Sequence, residues 1–265
     1  MTSIGPLARS HQSQWRQPLA KVALRLGFLA VVLAAWQAAG DDSTLLAMPT
    51  VTRTLSVMWD LTATGALPRA LLDSNIAMVT GYVLALALAV PIGLAMGSVR
   101  VIGAVARPYL TIIIAVPMIA MLPLIQAIFG PGFTARMIVV FLFSFVFIAV
   151  NTEVGTRSVP IDLREMARSF SASRWQRLRY VVLPHAFPSI MSGARLGLGR
   201  AITGMVLAEL FLVGSGVGSM LTFYKQRFNS GAVFAIILAL VLEGIVIMAL
   251  ARTLEDRVNR VWGRA

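Results

Sequence analysis

The chain has 265 residues, of which 58% are hydrophobic and 13% charged, whereas a soluble domain is nearer half apolar and a quarter charged. This composition excludes an ordinary soluble enzyme and, at roughly 20 apolar residues per helical span, accommodates about five to seven membrane helices in one domain. The net charge is +12 but the basic residues lie between apolar runs, 21 of the 23 being Arg, which points to membrane topology before nucleic acid; with no Cys there is no disulfide, thiol nucleophile or Cys metal site.

Six apolar runs are expected to span: Val22 to Gly40, Leu72 to Gly97, Pro108 to Phe129, Ala135 to Val150, Ala194 to Val213, and Ala232 to Ala251. Arg25, in the first turn of the first run, is tolerable if it snorkels to the interface. Ala38-Ala39-Gly40 before Asp41-Asp42 imitates a signal-peptide cleavage site, but the first run is read as a retained helix. The segment from Asp41 to Leu71 has room for an amphipathic helix over Thr50 to Leu61. Pro108, Pro117 and Pro123 predict that the third span kinks or unwinds, which the bilayer permits only where protein or a water-filled cavity satisfies the freed backbone. The fourth span is short and is expected to extend to Thr152.

With the N-terminus in the cytoplasm, 16 basic residues fall in inside segments and five outside, the latter being Arg53, Arg69, Arg136, Lys225 and Arg227. The positive-inside rule therefore places both termini in the cytoplasm. The same count makes the segment 153–193 the largest cytoplasmic feature. It reads as two short helices. Ser158 and Pro160 start the first, which runs to about Phe170, and Ser173-Arg174-Trp175-Gln176 is a capping box opening the second. Pro184 is expected to force Leu183 out of the helical region. From charge alone, the loop is equally a basic surface held by lipid headgroups.

The residues Glu165-Met166-Ala167-Arg168-Ser169-Phe170-Ser171-Ala172, followed by Tyr180-Val181-Val182-Leu183-Pro184, resemble the EAA motif of ABC-importer permeases: Glu-Ala-Ala, a Gly four residues on, then hydrophobic-Leu-Pro. Met48-Pro49, Gly81-Tyr82, Pro91-Ile92-Gly93-Leu94, Val116-Pro117, Leu122-Pro123-Leu124, Asn151-Thr152, Glu209-Leu210 and the Gly214, Gly216, Gly218 run fall where permeases of the nitrate, sulfonate and taurine branch have similar residues. The resemblance covers nearly the whole chain after about Leu46. It implies an all-α, polytopic permease of about six transmembrane helices, of the type I importer kind, in a bacterial inner membrane. It also implies a second permease copy or close paralogue, a cytoplasmic ATPase dimer that binds ATP and Mg, and an extracytoplasmic solute-binding protein.

On that resemblance Glu165, Ala167 and Arg168 transmit force to the ATPase, while Met166, Phe170 and Ala172 fill the apolar part of the joint. Two residues depart from the motif. Met166 replaces the first Ala, and Ser171 replaces the Gly at a turn expected to need a left-handed backbone, where a side chain costs about 1 kcal/mol or more. Either the turn is rebuilt or Ser171 bonds its own backbone.

The chain has no Gly-Lys-Ser/Thr phosphate loop, so ATP is expected on another subunit. Gly214, Gly216 and Gly218 follow a membrane helix rather than a strand, which argues for a tight chain reversal over a dinucleotide site. His11 and His185 lack a metal-ligand neighbour. Ionisable groups at membrane depth are functional candidates by default, which singles out Glu209 and Glu243, with Arg200 and Gln126 as further polar candidates for the pathway. The two acids would repel an anion unless Arg200 or protonation compensated, so the charge of the passenger stays open: nitrate, a sulfonate, taurine or another small solute of that branch. The rival is a proton-coupled secondary transporter working through Glu209 and Glu243. A scaffold without flux is a third reading.

Overall fold

The computed structural model describes residues 16–40, 48–212 and 216–262, with side chains for 22–40, 48–212 and 216–257. Arg9, His11, Asp41, Asp42 and Gly214, and the side chains of Arg16 and Lys21, lie outside them. Among the described residues the chain is helical, without strands: α1 (Arg16–Ala39), α2 (Val51–Ala63), α3 (Ala66–Ser98), α4 (Arg100–Ala115), α5 (Met118–Phe129), α6 (Phe133–Arg157), α7 (Ile161–Ser169), α8 (Arg174–Arg177), a π-helical turn at Leu178–Val182, α9 (Leu183–Phe211), α10 (Gly216–Gln226) and α11 (Ser230–Trp262). Four helices are long and apolar enough to cross a membrane alone: α1, α3, α6 and α11. The number rises to six when α4 with α5, and the α8–α9 helix with α10, each count as one bent span.

The central layer is α3, α6 and α9, with α6 in the middle. Small residues let these backbones approach: a β-carbon on Gly93 would lie 2.6 Å from the Ala149 carbonyl, and one on Gly197 would lie 2.5 Å from the Ile148 side chain. Met78, Val140, Ala201 and Met205 close the same layer. A second cluster joins Leu61 of α2 and Leu67 of α3 to Val217, Leu221 and Ile236 of α10 and α11. α1 stands apart, its apolar side chains exposed, and is pinned near its end where Trp36 Nε1 donates to the Pro49 carbonyl at 3.0 Å.

The third expected span does break, at one of its three prolines. Val116 is extended (φ −71°, ψ 127°), as a residue before proline prefers, Pro117 caps α5, and the two helices meet at 97°. Pro108 and Pro123 sit inside their helices without breaking them. Two other expectations need correction. α6 runs past Thr152 to Arg157. Leu183 stays helical (φ −62°, ψ −47°), because its amide bonds the Leu178 carbonyl five residues back. That π turn re-registers the ladder around Pro184, so the loop's second helix continues directly into the membrane as α9. α10 lies at 44° to α9, and the glycine run expected to turn the chain includes Gly214, which lies outside the described residues.

Candidate functional site

Charged residues gather at the two ends of α6. At its start, Arg136 is only 2% exposed, and its Nη1 lies 2.7 Å from Oε1 of Glu209, itself 4% exposed near the end of α9. The other Glu209 oxygen accepts the backbone N–H of Gly218 at 2.7 Å, in the first turn of α10, where the helix dipole favours an anion. Arg136 Nη2 reaches Asp73 of α3 at 3.3 Å, and the neighbouring Ser74 Oγ accepts the Val217 amide at 3.0 Å. Four helices are thereby tied by one buried network. Nothing larger than Gly fits at 218, since a β-carbon there would lie 1.9 Å from the Glu209 carbonyl oxygen.

This arrangement answers part of what the acids posed. Glu209 is neutralised in place by Arg136, which the charge count assigns to an outside segment, and not by Arg200. Arg200 is exposed, nine residues back on the same helix or roughly 13 Å along it, with its guanidinium 4.4 Å from the Phe147 ring centroid. Glu243 is half-buried on α11 and accepts a hydrogen bond from Asn75 Nδ2. Glu209 and Glu243 therefore have separate sets of partners, and no hydrogen bond joins them. Gln126 is half-buried on α5. Asp73, Ser74 and Asn75 are consecutive in α3, and the only sequence signal for them was a polar triplet at the edge of an apolar run. Among the described residues no cluster of His, Asp or Glu has the makings of a metal site.

At the other end of α6, Glu153 is buried and paired with Arg107 of α4 at 2.5 Å and Arg157 at 3.6 Å. Ser158 does not start α7: it ends α6, its Oγ donating to the Gly155 carbonyl, and Pro160 takes the N-cap position. Arg164 Nη2 donates to the Thr156 carbonyl at 2.5 Å and so fastens α7 to the end of α6. α7 presents Glu165 and Met166 outward, and Phe170 follows at 80% exposure, while Ala167 is buried. The turn after α7 is left-handed at Ser171 (φ 54°). Its amide donates to the Arg168 carbonyl and the Ala172 amide to the Ala167 carbonyl, the paired bonds of a Schellman motif. Among the described residues Ser171 Oγ makes no hydrogen bond, so the turn is neither rebuilt nor bridged by the serine. The capping box of Ser173 with Gln176 is present, closing α8.

Residues 89–260 match the family model described as binding-protein-dependent transport system inner membrane component. The taurine transport system permease protein of Escherichia coli is 31% identical over 94% of each chain. The riboflavin transport system permease protein of Chloroflexus aurantiacus is 38% identical over 53% of each chain. The nitrate import permease protein of a Synechocystis strain is 30% identical over 65% of this chain and 62% of its own, so these last two matches span little more than half of those relatives. Among solved structures, an inward-facing methionine ABC transporter superposes at TM-score 0.62 with 20% identity, over 76% of this chain and 98% of that one. An amino acid ABC transporter superposes at 0.61 with 18% identity, over 78% and 97%. At such identities the two structures speak for the fold, which is that of type I importer permeases.

Proposed function

Because the chain belongs to the family of binding-protein-dependent transport system inner membrane components, we propose that it lines the solute path of an ABC importer and is driven by a separate ATPase gripping α7. Membership makes it a multi-pass membrane permease rather than an enzyme; ATP and Mg belong, in this reading, to the ATPase. The observation that carries the coupling role is the outward face of α7, where Glu165 and Met166 lie beside Phe170 at 80% exposure. A large aromatic held in water at the tip of an ordered loop is an interaction surface wanting a partner. The ties from Arg164 to Thr156 and from Glu153 to Arg107 supply a stiff route from that surface to α6 and α4.

Both termini and α7 are assigned to the cytoplasm. Burying Arg136 removes it from the outside loops and leaves four basic residues there, which sharpens the positive-inside bias. α2 then lies outside, available to a solute-binding protein, and a second permease copy completes the path. The passenger is assigned to the small solutes of the nitrate, sulfonate and taurine branch. Glu209 no longer stands against an anion, because Arg136 and the Gly218 amide already consume its charge.

The test is to tag the C-terminus, extract the native complex in mild detergent and identify what copurifies, comparing wild type with Glu165→Arg. A soluble protein carrying a phosphate loop should accompany wild type and be lost from the variant. If the wild-type chain emerges alone while a control ABC complex survives the same detergent, the coupling role fails. Proton-driven flux through Glu209 and Glu243 then becomes the reading to measure.

A further inference from the structure

A cavity of about 950 Å³ opens between the end of α3 and the inner side of the loop. One wall is apolar, made by Pro91 and Leu94 of α3 facing Val181 and Leu183. Six arginines line the rest: Arg100, Arg164, Arg168, Arg174, Arg177 and Arg179, with no carboxylate among the lining residues. None of the six is ion-paired to a described carboxylate, whereas Arg107, Arg136, Arg157 and Arg195 all are. Arg164 spends one nitrogen on the Thr156 carbonyl, and Arg179 leans on the Tyr180 ring. Six like charges around one hollow repel one another, and among the described residues only Arg164 of the six makes a side-chain hydrogen bond, an arrangement that favours a multivalent oxyanion.

Two features choose the anion. A guanidinium is planar and forked, matched to phosphate oxygens. The apolar wall would stay wet under free phosphate but is covered if the phosphate carries an acyl chain. Trp175, 66% exposed on the cavity's rim, is the residue type that settles at headgroup depth. We propose that the cavity holds an anionic phospholipid, its phosphate among the arginines of the loop and its chain along Pro91 and Leu94. Three- and four-residue spacing puts Arg164, Ala167 and Arg168 on the cavity face of α7, opposite Glu165 and Met166. The lipid would therefore brace the coupling helix from behind while leaving the proposed ATPase face free. The site deepens the coupling reading and rests on it only for the leaflet, which is cytoplasmic if α7 is.

The experiment reconstitutes the purified complex in nanodiscs of mixed phosphatidylcholine and phosphatidylglycerol, then releases it and counts retained lipid by native mass spectrometry. Wild type should keep phosphatidylglycerol. R174Q/R177Q/R179Q should retain it roughly a hundredfold more weakly, from about one kcal/mol per lost charge near the membrane, and R174K/R177K/R179K should retain most of it. Excess inorganic phosphate should not displace it. Equal retention by wild type and the glutamine variant would overturn the site, and so would full displacement by phosphate, which would make it a soluble-anion site. Because lipid is counted directly and ATPase copurification is scored separately, failure of the lipid site and failure of the coupling role give different results.

Discussion

The start of α6 and the loop beyond its other end, with roughly 25 Å of helix between Arg136 and the paired Glu153, handle charge in opposite ways. At the first end Arg136 and Glu209 are sealed among α3, α6, α9 and α10, each paired with the other, Glu209 also accepting the Gly218 amide and Arg136 also reaching Asp73. Beyond the second end, six arginines surround a hollow without a carboxylate, and an aromatic stands in water. A charge buried in a membrane protein must find its partner within the fold, whereas one at the boundary is free to await a partner from outside. The difference separates the joint that holds the bundle together from the surface proposed above to receive other molecules.

The comparison breaks most easily at the sealed end. Arg136→Met should cost about 3–5 kcal/mol, because Glu209 is left buried with its principal countercharge gone. Thermal unfolding of the detergent-solubilised complex measures the loss. Adding Glu209→Gln should recover part of it, since the neutral amide no longer needs a cation. If the single variant unfolds with wild type, Arg136 is not the partner that makes Glu209 tolerable, and the sealed joint is no joint.

A smaller loss is expected at Gly218→Ala, on the order of 1–3 kcal/mol. The added methyl meets the Glu209 carbonyl, so α10 must shift and the amide bond to the carboxylate lengthens. Because both changes act through Glu209, the effects of Arg136→Met and Gly218→Ala should not add. Additive losses would mean that the glycine serves packing alone.

The two ends also differ in how far they could be read beforehand. The loop was legible because its determinants are local: the motif, the capping box and the turn residue all lie within about twenty positions, and the end of α7 and the start of α8 fall within a residue or two of where they point. Pro184 misled because the expectation was drawn from a single α-helical register, and a π turn offers another. The sealed cluster was illegible because Arg136 meets Glu209 and Asp73 across 73 and 63 residues of chain. Arg136 lies at the very edge of an apolar run, where hydropathy assigns a charge to the loop, and only packing of α6 between α3 and α9 turns it inward. Glu209 stands out in the sequence as an acid at membrane depth, but nothing in its neighbourhood names a partner.

The smallest predicted effect sharpens the comparison at the open end. Ser171 occupies the left-handed position of the Schellman turn (φ 54°), where a β-carbon crowds the following carbonyl and costs about 1 kcal/mol that glycine would avoid. Its hydroxyl offsets nothing, having no hydrogen-bond partner. Ser171→Gly should therefore stabilise the turn by about 1 kcal/mol, against the losses expected at the sealed end. Hydrogen exchange of the Ser171 and Ala172 amides, which donate to Arg168 and Ala167, should slow roughly fivefold. Faster exchange would mean that the added freedom of glycine outweighs the relief of strain. Slower exchange with unchanged global unfolding would locate the strain in the turn that joins α7, the helix proposed to meet the ATPase, to the arginine-lined cavity, where stiffness would bear on the proposed coupling rather than on the survival of the fold.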